Sequence, residues 1–355
     1  MSKVLMKGNE AFAEACLRAG CRFFSGYPIT PQSEIPEYLS WRMEEVGGVF
    51  VQTESEVAGI NMLFGAASTG KRCLTSSSGP GYALMQEGIS YLCGTELPAV
   101  ILDVQRIGNA LGDITTGQGD YWALTRGGGH GDYHTIVLAP ASVQEQVNLA
   151  SVAFDLAEKY THPVLMATDA ATGQMVESVE LPEMKEHDPK SNSWALRPRK
   201  IGEKKVNVRN IYKELFVEPD VDGYRDFLLS KYNAITENEQ RWESVQTEDA
   251  EVVIVAYGIT SRIAKAAVRQ ARAQGIKLGL IRPITLWPFP KKAFDALGSQ
   301  VKGIVCAEIN ILGQMREDVV MAVENKLPVE SYLEFSYLPT EKAFIDHALD
   351  IIKKY

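Results

Sequence analysis

The chain has 355 residues, 45% hydrophobic and 23% charged, the composition of a globular protein long enough for two domains. A formal net charge of −9 argues against a nucleic-acid surface or an anionic membrane as the main partner. No run approaches the roughly 18 apolar residues of a membrane span, and the start "MSKVLMKGNEAF" lacks the apolar core of a signal peptide, so a cytoplasmic protein is expected.

Residues 9–20, "NEAFAEACLRAG", read as a helix closed by Gly20. A short strand in "CRFFSGYPIT" then runs into "SGYPITPQSEI". In that turn Pro28 and Pro31 each fix φ at about −65°, and Pro31 also restricts Thr30. A broken helical stretch follows over 32–47, then a strand at 48–52 and a largely apolar helix over 55–70. "KRCLTSSS" is a strand that enters the turn Gly79-Pro80-Gly81, and "YALMQEGISYLCGTE" is a helix. "PAVILDVQR" (98–106) is a continuous apolar strand of the kind buried on both faces of a parallel sheet. After a Gly-rich loop come the strand "HTIVLAP", a helix over 143–160 that Ser142 and Glu145 begin as a capping box, and the strand "HPVLMATDA". Residues 1–171 thus alternate β and α and predict a doubly wound sheet.

Residues 172–249 are more polar and predict an extended crossing segment followed by a charged helix, "YRDFLLSKYNAITENEQRWESV". The alternation resumes over 250–355. "VVIVAYG", "KLGLIRP", "GIVCAEI" and "PVESYLEFSYLP" hold strands, and "TSRIAKAAVRQARAQG" is an amphipathic helix. A second, smaller α/β domain is expected there.

Several chemistries lack their motifs. No G-x-x-x-x-G-K-[ST] occurs, no G-x-G-x-x-G follows the first strand or the strand at 252–257, and there is no G-x-S-x-G. The five cysteines, Cys16, Cys21, Cys73, Cys93 and Cys306, are odd in number and form no C-x-x-C. That speaks against a disulfide framework, an iron–sulfur cluster or a zinc ribbon, and for small buried thiols. His130, Asp132 and His134 in "GGGHGDYH" sit in a glycine loop without fixed ligand geometry.

Other residues are more informative. Glu56 opens the apolar helix "SEVAGINMLFGA", where a carboxylate is desolvated and suited to hydrogen-bonding a heterocyclic nitrogen. The plain alternative is an acid favoured by the helix dipole, and Glu54 fits either role. "TSSSGPG" places Ser78 and Gly79 at a strand's C-terminal end, where open α/β sheets bind ligands. Arg106 ends the next strand and suits a carboxylate ligand, or else a structural ion pair with Asp103 or Glu96. Thr30, Glu56, Ser78 and Arg106 are all expected at one rim of one sheet.

The stretches "FSGYPITPQSEI", "ESEVAGINMLFGAASTGKR", "TSSSGPGYALMQEGISYL", "ELPAVILDVQR" and "TTGQGDYWAL" resemble the alpha subunit of the 2-oxoacid:ferredoxin oxidoreductases. "MKGNEAF", "GGGHGDYHTIVLAPASVQE" and "LAEKYTHPVLMATDAATGQM" are most similar to its 2-oxoisovalerate, or branched-chain, type. "RIGNALGDITT" departs from the segment common in the 2-oxoglutarate type. The resemblance runs in order along nearly the whole chain and is weakest over 180–245. It implies a pyrimidine-type thiamine-diphosphate-binding domain over 1–171, then a transketolase-C-terminal-like domain over 250–355.

It also implies roles. Glu56 would hold the cofactor's aminopyrimidine N1′, with Pro28, Ile29, Ser78 and Gly79 as further cofactor contacts. Thr30 and Arg106 would bind the substrate's carboxylate or keto oxygen. The implied reaction is oxidative decarboxylation of a 2-oxoacid, with coenzyme A as co-substrate and ferredoxin as acceptor. "GQGDYW" and "GHGDYH" are not the G-D-G element that holds Mg²⁺ and the diphosphate, and the chain has no cluster ligands. Mg²⁺, the diphosphate half of thiamine diphosphate and the [4Fe–4S] clusters would therefore lie on beta, gamma and ferredoxin-like delta partners.

Ile107, Leu111 and Trp122 are apolar candidates for the acyl pocket and favour an aliphatic substrate. Members of the same family acting on 2-oxoglutarate or pyruvate, a transketolase-like transferase, and a non-catalytic scaffold remain the alternatives.

Overall fold

The computed structural model describes residues 3–192, 194–196 and 221–355; residues 193 and 197–220 of the polar segment lie outside the described residues. The main sheet contains six parallel strands in the spatial order Ile136–Leu138, Val164–Asp169, Val100–Ile107, Arg72–Ser77, Cys21–Gly26 and Val49–Gln52. The strand Val100–Ile107 is buried along its whole length. Its pleat sends Val100, Leu102 and Val104 to one face and Ile101 to the other. On the first face lie the helices Gly8–Arg18, Glu34–Glu45 and Val143–Tyr160, through Phe12, Leu17, Leu39, Met43 and Phe154. On the second lie the helices Glu56–Ala67 and Gln86–Thr95, through Ile60, Leu63, Ile89 and Leu92. A doubly wound α/β sheet is the result.

A second sheet has the order Trp242–Val245, Leu278–Pro283, Val252–Val255, Gly303–Glu308 and Val329–Leu333, parallel except for its first strand. Val252 and Ile254 face the helices Gly258–Ala273 and Glu341–Lys354. Val253 and Val255 join Ile101 and Leu165 of the first sheet in one shared cluster. The two α/β units are thus joined by a continuous apolar core.

Five short strands differ from the sequence reading. Trp242–Val245, expected as the end of a helix, is an antiparallel edge of the second sheet, and the helix before it is Val221–Asn238. Thr285–Trp287 crosses over to pair with Ile136–Leu138 of the first sheet. Asp113–Thr116 pairs with Val100–Ile107, and Val4–Lys7 forms a ribbon with Val176–Val179. A further ribbon strand or edge strand of three or four residues has no periodicity to read, and its partner is distant in sequence. The helix expected over 82–96 is two helices, Gly79–Leu84 and Gln86–Thr95. Among the described residues no helix is long and apolar enough to cross a membrane.

Polar contacts orient the second unit. Asp169, buried at the end of its strand, accepts from Thr172 N at 2.8 Å and from Ile259 N at 2.9 Å. A Cβ on Gly258, where φ is +56°, would lie 2.7 Å from Asp169 Oδ2, so this approach requires glycine. Ser142 Oγ caps its helix by accepting from Glu145 N at 3.2 Å. Glu145 reaches back to Ala141 N rather than to Ser142 N, and both its oxygens accept from Arg282 at 2.8 Å. Half of the expected capping box is therefore used as a bridge between the units. Removing the Asp169 carboxylate leaves two buried N–H groups without an acceptor. We expect Asp169→Ala to lower stability by about 2 kcal/mol in denaturant unfolding of the chain.

Candidate active site

The strand Cys21–Gly26 ends at the proline turn. Thr53 N donates to Gly26 O, and Pro31 O accepts from Asn9 Nδ2 at 2.7 Å and Gln174 Nε2 at 2.8 Å. Gln32 bonds Tyr27 O through Nε2 and accepts from Ser76 Oγ at 2.6 Å. The turn is thus held by three neighbouring elements as well as by its prolines. Pro28 and Thr30 are exposed and Ile29 is half-buried.

The helix Glu56–Ala67 is capped by Ser55, whose Oγ accepts from Ala58 N. That cap fixes Glu56 at the first helical position, 5% exposed, whereas Glu54 is exposed. Burial thus separates two acids that residue chemistry alone left open and that only the family resemblance had ranked. The Glu56 carboxylate has no hydrogen bond to any described residue. A Cβ on Gly81 would lie 2.3 Å from Glu56 Oε1 and 2.2 Å from Ser77 Oγ, so only glycine fits between them. Ser77 Oγ and Ser78 Oγ are buried without partners. A glycine, a carboxylate and two unpartnered hydroxyls thus lie close together at the end of the strand Arg72–Ser77.

Arg106 stands at the next strand end, 7% exposed. Its Nη1 donates to Thr30 O and its Nη2 to Leu111 O, both at 2.7 Å. Nε has no partner. The ion pair with Asp103 or Glu96 is absent among the described residues: Nη1 and Nη2 each give an N–H to a backbone carbonyl, and Nε–H is left without a partner. A Cβ on Gly79 would touch Arg106 Cγ at 3.6 Å. The structure therefore brings Thr30, Ser78, Gly79 and Arg106 to one rim, with Glu56 next to them across Gly81.

Two acids at this rim were missed. Asp103 is fully buried and accepts from Gly79 N at 3.2 Å. Burial, and then the neighbouring Asp120, push its carboxyl well above the carboxylate range. Burial pushes Asp120 up to about 6. The signal was present for Asp103, an acid inside the apolar run "VILDVQ". Beside Asp120 lies a cavity of about 390 Å³ walled by Ile107, Ile309, Ile311, Leu312 and Phe335. Of the expected acyl-pocket residues only Ile107 lines it; Leu111 is exposed and Trp122 packs against the core. His134 stacks on Trp287 at 4.7 Å, its Nδ1 2.9 Å from Thr125 O.

A family model described as pyruvate flavodoxin/ferredoxin oxidoreductase, thiamine diphosphate-binding, matches residues 14–225. A second, pyruvate:ferredoxin oxidoreductase core domain II, matches residues 250–335. The ketoisovalerate oxidoreductase subunit VorB of Methanothermobacter marburgensis is 49% identical over 91% of this chain and 90% of its own length. This chain belongs to the 2-oxoacid:ferredoxin oxidoreductase family.

Within that family, the 2-oxoglutarate synthase subunit KorA of Methanocaldococcus jannaschii is 38% identical, over 90% of this chain and 91% of that one. The solved 2-oxoglutarate:ferredoxin oxidoreductase of Magnetococcus marinus, with 2-oxoglutarate, coenzyme A and succinyl-CoA bound, matches at a TM-score of 0.84 and 25% identity. That match covers 99% of this chain and 65% of the solved one. A split-gene transketolase matches at a TM-score of 0.56 and 15% identity, over 98% of this chain and 96% of that one, a likeness of fold. The oxidoreductase family, the α/β fold and the transketolase likeness agree with the sequence reading. Gly81→Ala forces the Glu56 carboxylate aside by close to an ångström or more, and we expect turnover of the assembled oxidoreductase to fall about 100-fold. Steady-state rates, with a melting curve to check folding, measure this.

Proposed function

We propose that this chain is the alpha subunit of a hetero-oligomer that oxidatively decarboxylates 3-methyl-2-oxobutanoate, a branched-chain 2-oxoacid, to acyl-coenzyme A and CO₂, with electrons delivered to ferredoxin. The observation that carries this reading is the meeting, at one sheet rim, of an unpartnered buried carboxylate, Glu56, and an arginine with an open N–H, Arg106. Thiamine diphosphate, when bound, supplies the carbon that attacks the 2-oxo group and accommodates the electron pair left by CO₂.

This chain's residues bind and orient. Glu56 would hydrogen-bond the pyrimidine nitrogen N1′. Gly81 leaves the ring face open, and Pro28, Ile29, Ser78 and Gly79 bound it. Arg106 offers Nε–H to the substrate carboxylate until CO₂ departs. The Thr30 hydroxyl donates to the carboxylate or the keto oxygen, from a turn already fixed by prolines and carbonyl clamps, so little freedom is lost on binding.

The branched substrate is supported by the name of the 49% identical relative, against 38% for a 2-oxoglutarate synthase subunit. The walls that Ile107, Ile309, Ile311, Leu312 and Phe335 give the cavity suit an aliphatic chain, and Asp120 in its lining disfavours a second carboxylate. Pyruvate would leave that cavity largely unfilled.

In this reading a beta subunit holds Mg²⁺ and the diphosphate, and beta, gamma and ferredoxin-like delta chains complete the electron path through [4Fe–4S] clusters. Burial pushes the thiols of Cys16, Cys73 and Cys306 well up, which disfavours the thiolate that a cluster requires. Among the described residues no three His, Cys, Asp or Glu side chains gather as a metal ion would need. A cytoplasmic location goes with the same assembly.

Substrate profiling of the purified complex with an artificial electron acceptor tests the substrate, and 2-oxoglutarate or pyruvate turning over faster than 3-methyl-2-oxobutanoate would refute it. Glu56→Gln should cut turnover below a tenth, and retention of more removes Glu56 from this role. Arg106→Ala should raise the 2-oxoacid KM by about 10- to 100-fold, the range for one hydrogen bond to a charged group. A complex that fails to bind thiamine diphosphate in titration calorimetry would leave the chain a scaffold.

A further inference from the structure

The buried acids Asp103 and Asp120 have no part in the roles above, yet they face the arginine site. Asp103 lies on the strand of Arg106 and accepts from Gly79 N at 3.2 Å, and Asp120 borders the same glycine. Asp103 Oδ2 and Asp120 Oδ2 are both buried with no donor among the described residues. A Cβ on Gly79 would lie 3.8 Å from Arg106 Nε and 4.0 Å from Asp120 Oδ2, so this glycine borders both groups. Asp120 also lines the apolar cavity.

Two carboxyl groups this close satisfy each other only when one carries a proton, because like charges at contact cannot both ionise. We propose that Asp103 and Asp120 share one proton and act as a positioning pair, whose single negative charge leaves Arg106 able to take the carboxylate of the 2-oxoacid. The inference rests on Arg106 being the carboxylate-binding residue. With one proton on the pair, its charge balances the guanidinium, and an anionic substrate meets a neutral site. Loss of that proton makes the site anionic, and it repels the substrate.

The groups facing the pair make it the unit that changes charge. Tyr82, on the helix Gly79–Leu84, and Tyr257, before the helix Gly258–Ala273, are pushed well up by burial and remain neutral. Glu56 lies on the far side of Gly81 and faces the proposed cofactor position. Burial disfavours ionisation of both acids, in the direction that a retained proton requires.

The test uses the assembled complex. At neutral pH, infrared difference spectra between wild type and Asp103→Asn should show a protonated-carboxyl band that the variant lacks. The wild-type KM for 3-methyl-2-oxobutanoate should rise as pH increases from 6 to 9.5, by up to about tenfold per pH unit beyond the last ionisation of the pair. Asp103→Asn should flatten that rise, because Asp120 alone has no second proton to lose. Asp120→Asn should do the same and serves if the first variant does not fold. Absence of the band, or an unchanged KM–pH profile in the variants, overturns the pair while Arg106 keeps its role. If Arg106→Ala leaves KM unchanged, the carboxylate-binding reading fails, and the pair's role falls with it even where the band is present.

Discussion

The side of the site that faces the second α/β unit depends on how one short segment, Gln118–Arg126, is held by that unit. Gln118 is fully buried; its N–H donates to Ile309 O at 2.7 Å and its Nε2 to Tyr257 O at 3.0 Å. Its Oε1 accepts from Thr260 Oγ1 and Ile309 N, and its carbonyl accepts from Asn310 Nδ2. Gln314 grips Gly119 O and Trp122 N, and Asp318 accepts from Tyr121 and Arg126. Every polar group of Gln118 is thus used across the interface, and a satisfied buried network of this kind specifies one arrangement. Asp120, inside the segment, is carried to Gly79 and the cavity by contacts that its neighbours make.

The opposite side of the site is rigid for a different reason. The Thr30 turn has little conformational freedom, and its outgoing carbonyl is clamped by Asn9 and Gln174. The same two amides bond Glu34, whose carboxyl burial pushes up but which its hydrogen bonds, with Lys7 adding to them, hold below the usual range. Arg106 then uses two donors to tie Thr30 O to Leu111 O. An arginine bonded in this way is held in place by backbone carbonyls, with its Nε–H unpartnered. That suits a residue which meets an anion only transiently.

Electrostatics and packing meet at Gly79 and Gly81. A side chain at Gly81 would collide with Glu56 and Ser77, and Gly79, at φ +39°, sits in ordinary contact range of Arg106 and Asp120. The glycines let three carboxyl groups and a guanidinium gather around one turn while several of their polar atoms stay unpartnered. Burial works against charge on Asp103 and Asp120, so the net charge offered to a ligand depends on where the protons of that pair reside.

The sequence by itself determined the parallel α/β class, the buried strands and the helices, because apolar periodicity is a local property of the chain. It also marked Thr30, Glu56, Ser78 and Arg106, since strand ends, prolines and an arginine after an apolar run are local features too. On residue chemistry alone it left Glu54 beside Glu56, and only the family resemblance preferred Glu56; in the fold the Ser55 cap and the approach of Gly81 bury Glu56, while Glu54 is exposed. It read Trp242–Val245 as helix, although pairing with Leu278–Pro283 overrides that local preference. It offered Asp103 as an ion-pair partner for Arg106, although Asp103 faces Gly79 and Asp120 instead. Contacts between residues far apart in the chain decided these points. Burial and hydrogen-bond satisfaction follow from which surfaces meet, and no single stretch of sequence encodes that.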